Sequence, residues 1–336
     1  MCNGAHLRPS ALLLLVLAAG VCVGCENQAL VRKYDGPYVE KPYMYGDRWV
    51  SVDGVRMCYT TRGEGPPIIF VRGLGSSADY WDETLPYFEK DFTVYAIDLA
   101  GFGKSDKPDV DYSLTFHTRM VTGFMDQLDI RRASFVGNSF GGHVAMNIAI
   151  HNPERVDKLV LQSTTGSWPP PDPAMRFLLW TVMTDGFFRN WTVQSWCTLW
   201  KELALYQTPH AEAKLTEWIR RRHAEDFDDL CRAYARSVKG LYYGSLRAEL
   251  YKVEAPTLIL WGTEDRWHPV ADAYYLDAHI PNTHLIVFQG GRPLLPWDFK
   301  DDFNREVMAF LKDPSAAGSD VRTIEASPLA GHYPEY

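Results

Sequence analysis

The chain has 336 residues, 46% of them hydrophobic and 23% charged. That is enough to bury a large core in one domain, or in one domain carrying an insertion. Its formal net charge of −8, with no basic face of interleaved aromatics, speaks against a nucleic-acid binder. No internal repeat is visible, which removes solenoids and propellers.

Arg8 is the only formally charged side chain before a short apolar run, Ala11 to Val23. The run is too short to span a bilayer comfortably and suits the apolar part of a signal peptide. It ends in Cys22-Val-Gly-Cys25, which resembles a bacterial lipobox, with the small Gly24 before Cys25 and Cys22 where that motif usually has Leu. The resemblance implies that residues 1–24 are removed and that Cys25 is lipidated. Lipidation would tether the chain to a membrane surface rather than thread it through one. The expected location is therefore an exported, membrane-anchored lipoprotein of a bacterial cell envelope. The alternatives are a plain secreted protein and a short membrane anchor.

Residues 25–45 have no periodicity and are expected to be a linker. Arg48 to Thr61 reads as two strands around the Asp53-Gly54 turn. Pro67-Ile-Ile-Phe-Val71 and Thr93 to Asp98 are continuous apolar runs, as strands buried on both faces require. Leu114 to Leu128 has helical period. Phe135 and Val136 stop at Gly137, and Ser139 follows, fenced by Gly137, Gly141 and Gly142. Val144, Ala145, Ile148 and Ala149 then resume with helical spacing, so Ser139 stands at the apex of a strand–turn–helix. Val156 to Gln162 is the next strand. From 165 to 250 the alternation breaks into aromatic-rich helical patterns holding Trp168, Trp180, Trp191, Trp196, Trp200 and Trp218. Strand–helix alternation resumes at Pro256–Gly262, with a helix over Ala271–Ala278, a strand over His284–Phe288 and a helix over Asp301–Leu311. Such alternation means a parallel sheet covered on both faces. The expected organisation is a core of 46–164 and 251–313, a helical cap over 165–250 and a loose tail over 314–336.

Four motifs now stand in one order. Gly137-Asn-Ser-Phe-Gly141 resembles the nucleophile elbow of the α/β-hydrolase superfamily. Arg72-Gly-Leu-Gly75 sits where that superfamily has its His-Gly oxyanion loop. Asp98-Leu-Ala-Gly-Phe-Gly-Lys-Ser105 resembles its D-x-x-G-x-G-x-S turn, and Trp261-Gly-Thr-Glu-Asp265 resembles the strand end that carries the catalytic acid. The resemblance covers roughly residues 46–312. It implies an α/β-hydrolase fold, a mostly parallel eight-stranded sheet with helices on both faces and an inserted cap. Gly-Asn-Ser-x-Gly-Gly-His is the variant found in carbon–carbon bond hydrolases and related esterases. Ser139 is then the expected nucleophile, the backbone N–H groups of Leu74 and Phe140 the oxyanion donors, and Asp265 the acid. Asp98 is expected to order its own glycine-rich turn. No metal or organic cofactor is implied.

The expected base is missing. Where the superfamily has Gly-His after its last strand, this chain has Gly291-Arg292. An arginine stays protonated at any working pH and cannot accept the serine proton. His268, three residues past Asp265, is a candidate that needs unusual geometry. His332, in the tail segment Gly331-His-Tyr-Pro334, looks like the missing motif displaced beyond the last helix, and a link of about 20 residues spans about 25 Å. His143 is expected to pack. Two functions remain open. One is a membrane-tethered serine hydrolase acting on an apolar ester or related acyl substrate. The other is a catalytically impaired pseudo-hydrolase that binds a ligand or partner, with Arg72 and Arg292 recognising an anionic group. Phe177, Leu178, Leu179, Trp180, Phe187 and Phe188 are expected to form an apolar chamber, a membrane-facing surface or the core of the cap. Arg220-Arg-Arg222 is expected to be a solvated face. Cys197 and Cys231 could pair, and Cys58 is expected to be a buried thiol.

Overall fold

The computed structural model describes residues 36–191, 216–217, 220–317 and 321–325. Cys25, Cys197 and His332 lie outside the described residues, as does the apolar run that precedes Cys25.

Among the described residues, a sheet of nine strands forms the centre, in the order β1-β2-β4-β3-β5-β6-β7-β8-β9. β1 (Arg48–Val52) and β2 (Val55–Arg62) make an antiparallel hairpin. Its turn is Asp53-Gly54, both at positive φ (49° and 81°), the pairing that matches the twist of the flanking strands. β2 runs antiparallel to β4 (Thr93–Ile97), and every later pairing is parallel. β3 (Pro67–Val71), β5 (Ala133–Asn138), β6 (Val156–Gln162), β7 (Thr257–Gly262) and β8 (Thr283–Phe288) make up the middle. All six residues of β5 and all six of β7 are buried, as strands covered on both faces are. The ninth strand, β9 (Arg322–Ile324), pairs with β8. It comes from the segment expected to be a loose tail and makes the sheet one strand wider than expected.

The helices follow the strands: α1 (Leu85–Phe88), α2 (Leu114–Gln127), α3 (Phe140–His151), α4 (Pro173–Val182), α5 (Phe227–Tyr243), α6 (Val270–His279), α7 (Leu295–Asp298) and α8 (Lys300–Lys312). Ser113 caps α2 by accepting from the Phe116 N–H at 3.2 Å, and Asp172 caps α4 by accepting from Met175 N–H at 2.8 Å. α4 and α5 fall between β6 and β7, in the segment expected to be a cap.

β3 and β5 are neighbours, but from β3 the chain steps to β4 on one side and then returns to β5 on the other. That reversal opens a crevice at the carboxyl ends of β3 and β5, the place where open α/β sheets bind ligands. Arg72 and Ser139 stand at those two ends.

The stretch before β1 is held down more firmly than a linker. Tyr43 is buried, and its hydroxyl donates to the Asp98 carboxylate. Asp98 also accepts from the backbone N–H groups of Ala78 (2.8 Å) and Lys104 (2.7 Å), so it does order its turn. Burial is the main influence on its carboxyl and lifts its pKa to about 6. Cys58 and Cys231 are both buried free thiols.

The apolar set of the segment expected to be a cap splits. Leu179 and Phe188 are buried, whereas Phe177 and Trp180 are 65% and 72% exposed. Arg221 is not solvated as expected. It is buried, donates to the Gly103 carbonyl at 2.8 Å and lies 5.2 Å from the Tyr38 ring centroid.

Candidate active site

Ser139 has φ 51° and ψ −120°, a backbone conformation that an L-residue holds only when its surroundings force it. The neighbouring glycines supply the reason. A Cβ on Gly137 would fall 2.4 Å from Gly142 Cα, one on Gly141 would fall 2.1 Å from the Val71 carbonyl oxygen, and one on Gly142 would fall 2.4 Å from Thr164 Oγ1. Strand end and helix start are pressed so close that only hydrogen fits, and the serine is pushed to the tip. The Ser139 carbonyl accepts from His143 N–H (3.2 Å), Thr165 N–H (3.3 Å) and Thr164 Oγ1–H (3.0 Å), which pins the turn from three directions.

Phe140 is the first residue of α3, so its N–H has no carbonyl one turn earlier to bond. Gly73, before Leu74, lies against the serine: a Cβ there would sit 2.9 Å from Ser139 Cβ. Both expected oxyanion donors are thus borne on segments that flank Ser139.

His268 Nε2 lies 3.3 Å from Ser139 Oγ. The geometry that looked unusual from sequence is a tight turn after β7. Asp265 Oδ1 accepts from the backbone N–H of Trp267 (2.9 Å) and of His268 (2.7 Å), and Trp261 Nε1–H donates to the His268 carbonyl (2.7 Å). These bonds curl residues 265–268 back over the end of the sheet. His268 Nδ1 and Asp265 Oδ2 then face each other at 3.5 Å, both buried and neither with a hydrogen-bond partner. A slight rotation would join them and satisfy both, and such contacts are commonly long before substrate binds. The imidazole lies nearly parallel to Trp168 (centroids 6.2 Å apart, planes at 24°) and to Trp267 (6.1 Å, 21°). Trp168 is anchored in turn, its Nε1–H donating to Asp272 Oδ2 at 2.9 Å. Burial raises the Asp272 pKa, opposed by that hydrogen bond and by His268.

The other histidines have different work. His143 Nε2 donates to the Gly244 carbonyl at 2.7 Å, and burial pulls its pKa down to about 4. It packs, as expected, and ties α3 to the end of α5. His117 is buried against Ser237 of α5 at 3.3 Å, its pKa pulled down by burial to about 3. His284 lies in β8 beside Phe310, 6.1 Å between ring centroids, at the strand's starting end.

Arg292 does follow β8, but its guanidinium is committed to a carboxylate. Nε donates to Asp298 Oδ2 and Nη2 to Asp298 Oδ1, both at 3.2 Å. Burial raises the Asp298 pKa and the Arg292 charge opposes it. Arg292 and Arg72, expected to recognise an anionic group together, part in the structure: Arg292 forms a fork onto Asp298, and Arg72 does not.

Among the described residues, no group of three or more His, Cys, Asp or Glu side chains could hold a metal ion. No helix there is long and apolar enough to cross a membrane.

The family profile of the alpha/beta hydrolase fold matches residues 66–299. A 2-hydroxy-6-oxononadienedioate/2-hydroxy-6-oxononatrienedioate hydrolase of Cupriavidus pinatubonensis is 30% identical over 271 residues, covering 76% of this chain and 89% of its own. A solved meta-cleavage product hydrolase from Pseudomonas fluorescens IP01 aligns with a TM-score of 0.66 at 26% identity, over 80% of this chain and 98% of that one. A membrane phospholipase A described as a bacterial virulence factor aligns with a TM-score of 0.63 at 25% identity, over 90% of this chain and 96% of that one. Together with the elbow and the sheet order, these matches make the chain a member of the α/β-hydrolase fold family.

Proposed function

We propose that this protein is a serine hydrolase of apolar esters or related acyl substrates, with Ser139 as nucleophile, His268 as base and Asp265 as the acid that orients it. The observation that carries this reading is the 3.3 Å approach of His268 Nε2 to Ser139 Oγ. With Nδ1–H turned to Asp265, the Nε2 lone pair takes the Ser139 proton as Oγ attacks the substrate carbonyl. The backbone N–H groups of Leu74 and Phe140 receive the oxyanion. The imidazolium then gives its proton to the leaving group, and water repeats the sequence to release the acid from Ser139. The base thus comes from the turn after β7 rather than from the loop after β8. The binding-only alternative drew its force from Arg292, and the imidazole beside the serine supports the hydrolase reading over it.

Covalent labelling by a fluorophosphonate probe tests this directly. Wild type is expected to label, and Ser139→Ala and His268→Ala are expected not to. Equal labelling of the His268→Ala variant would refute the role given to His268. Turnover is then compared on 4-nitrophenyl acyl esters and on 2-hydroxy-6-oxononadienedioate, the compound named for the Cupriavidus relative. Preference for the latter would move the reaction to carbon–carbon cleavage.

The location is a proposal of the same standing. The apolar run, the Cys22-Val-Gly-Cys25 sequence and the name of the phospholipase relative support an exported lipoprotein tethered through Cys25. Metabolic labelling with a fatty acid tests it: a Cys25→Ala variant that still carries the label would rule it out.

A further inference from the structure

Arg72 is the first residue after β3, and the next residue, Gly73, touches the nucleophile. The Arg72 guanidinium lies over the Tyr80 ring, its Cζ 3.8 Å from the centroid. Tyr234 of α5 also feels its charge. Among the described residues the Arg72 side chain has no ion pair and no hydrogen bond, and its Nε is buried without a partner. The Tyr80 hydroxyl is in the same condition, buried and unbonded, in a residue only 1% exposed. Burial pulls the guanidinium pKa down, opposed by Tyr80 and Asp79. Asp79 is no substitute partner, since it accepts from Ser77 Oγ at 2.6 Å and forms no ion pair with Arg72.

A buried N–H without an acceptor is costly, and a buried hydroxyl without a partner adds to that cost; Arg72 is half-buried, so its remaining donors face the edge of the site. Arg292 at the same sheet edge meets the usual requirement through Asp298, while Arg72 is held by an aromatic face alone. Its unused donors and the Tyr80 O–H stand beside the segment that bears the oxyanion loop. A planar group with two anionic oxygens fits such a fork best.

We infer that Arg72 and Tyr80 form a subsite for a carboxylate on the acyl part of the substrate, next to the carbonyl that Ser139 attacks. The inference rests on reading this edge as the substrate site and, of the apolar esters and related acyl substrates proposed above, selects the latter: acyl substrates that also bear a free carboxylate.

The test uses binding, so that it does not depend on turnover. Ser139→Ala protein is titrated by calorimetry with succinamate, glutaramate and adipamate, whose amide stands in for the scissile carbonyl, and with the uncharged amides of matching length. At least one carboxylate is expected to bind about tenfold more tightly than its neutral match, as a charge-assisted contact allows. Adding Arg72→Met is expected to abolish that preference, while Arg72→Lys keeps part of it. Thermal unfolding confirms that each variant is folded. No preference at any of the three lengths, or a preference that survives Arg72→Met, would overturn the inference. Absence of fluorophosphonate labelling would count against the serine hydrolase alone, because that measurement does not involve the subsite.

Discussion

His268 Nε2 and Ser139 Oγ, 129 positions apart in sequence, meet at 3.3 Å, while the same imidazole faces a carboxylate only three positions before it. A base and its orienting acid on one turn makes a sharp prediction. Removing the imidazole in His268→Ala should lower kcat by about a thousandfold or more, as loss of a general base does. Arg292→His should not raise turnover, because a base is already in place. A rise in Arg292→His together with an unaffected His268→Ala would transfer the role back to the loop after β8.

The elbow was legible because its chemistry is local. Three glycines around Ser139 state that no side chain fits, and the clash distances at Gly137, Gly141 and Gly142 bear this out. The buried strands were legible for the same reason, as apolar runs bounded by turns. From sequence His268 needs an unusual geometry, because spacing along the chain does not reveal how a turn closes. That closure depends on Asp265 accepting two backbone N–H groups and on Trp261 reaching the His268 carbonyl. The stretch at Tyr43 was hidden too. A single buried tyrosine bonded to Asp98 leaves no periodicity to read.

Trp168 and Asp272 act on His268 from the side. Asp272 fixes the indole that lies along the imidazole. Asp272→Asn keeps an acceptor for Trp168 and removes the charge. Turnover in Asp272→Asn is therefore expected to stay within about twofold of wild type, since the indole stays anchored beside the imidazole. Trp168→Ala should lower kcat about tenfold by loosening the ring. A loss in Asp272→Asn as large as that in Trp168→Ala would mean that Asp272 does more than anchor the indole.

The Arg292–Asp298 pair makes a prediction about stability rather than catalysis. The Asp298 side chain is only 7% exposed, so removing its partner leaves a charge stranded. Arg292→Met is expected to cost about 3 kcal/mol in urea unfolding, and Arg292→Met with Asp298→Leu to recover most of it. A double variant no more stable than the single one would mean that Arg292 stabilises the loop through contacts other than this carboxylate.

The buried histidines set the acid side of the stability profile. His143 and His117 have folded-state pKa values depressed by burial to about 4 and about 3, from an ordinary 6.5. Their contribution is fully present above about pH 6.5 and is lost as pH falls toward the folded values, because the unfolded chain then binds protons that the folded one refuses. For His143 alone that amounts to about 3 kcal/mol by pH 4. Asp98 works the other way. Its carboxyl is raised to about 6 in the fold, from 3.8, so its contribution declines as pH rises from about 4 to about 6. Asp272 and Asp298, raised by burial as well, slope the same way as Asp98; the histidines' share is a drop in the unfolding midpoint between pH 6.5 and pH 4. His143→Gln, which keeps a donor for the Gly244 carbonyl, should flatten that drop. Asp98→Asn should steepen it, by removing the opposing slope. Parallel profiles for wild type and His143→Gln would place the acid sensitivity in other groups.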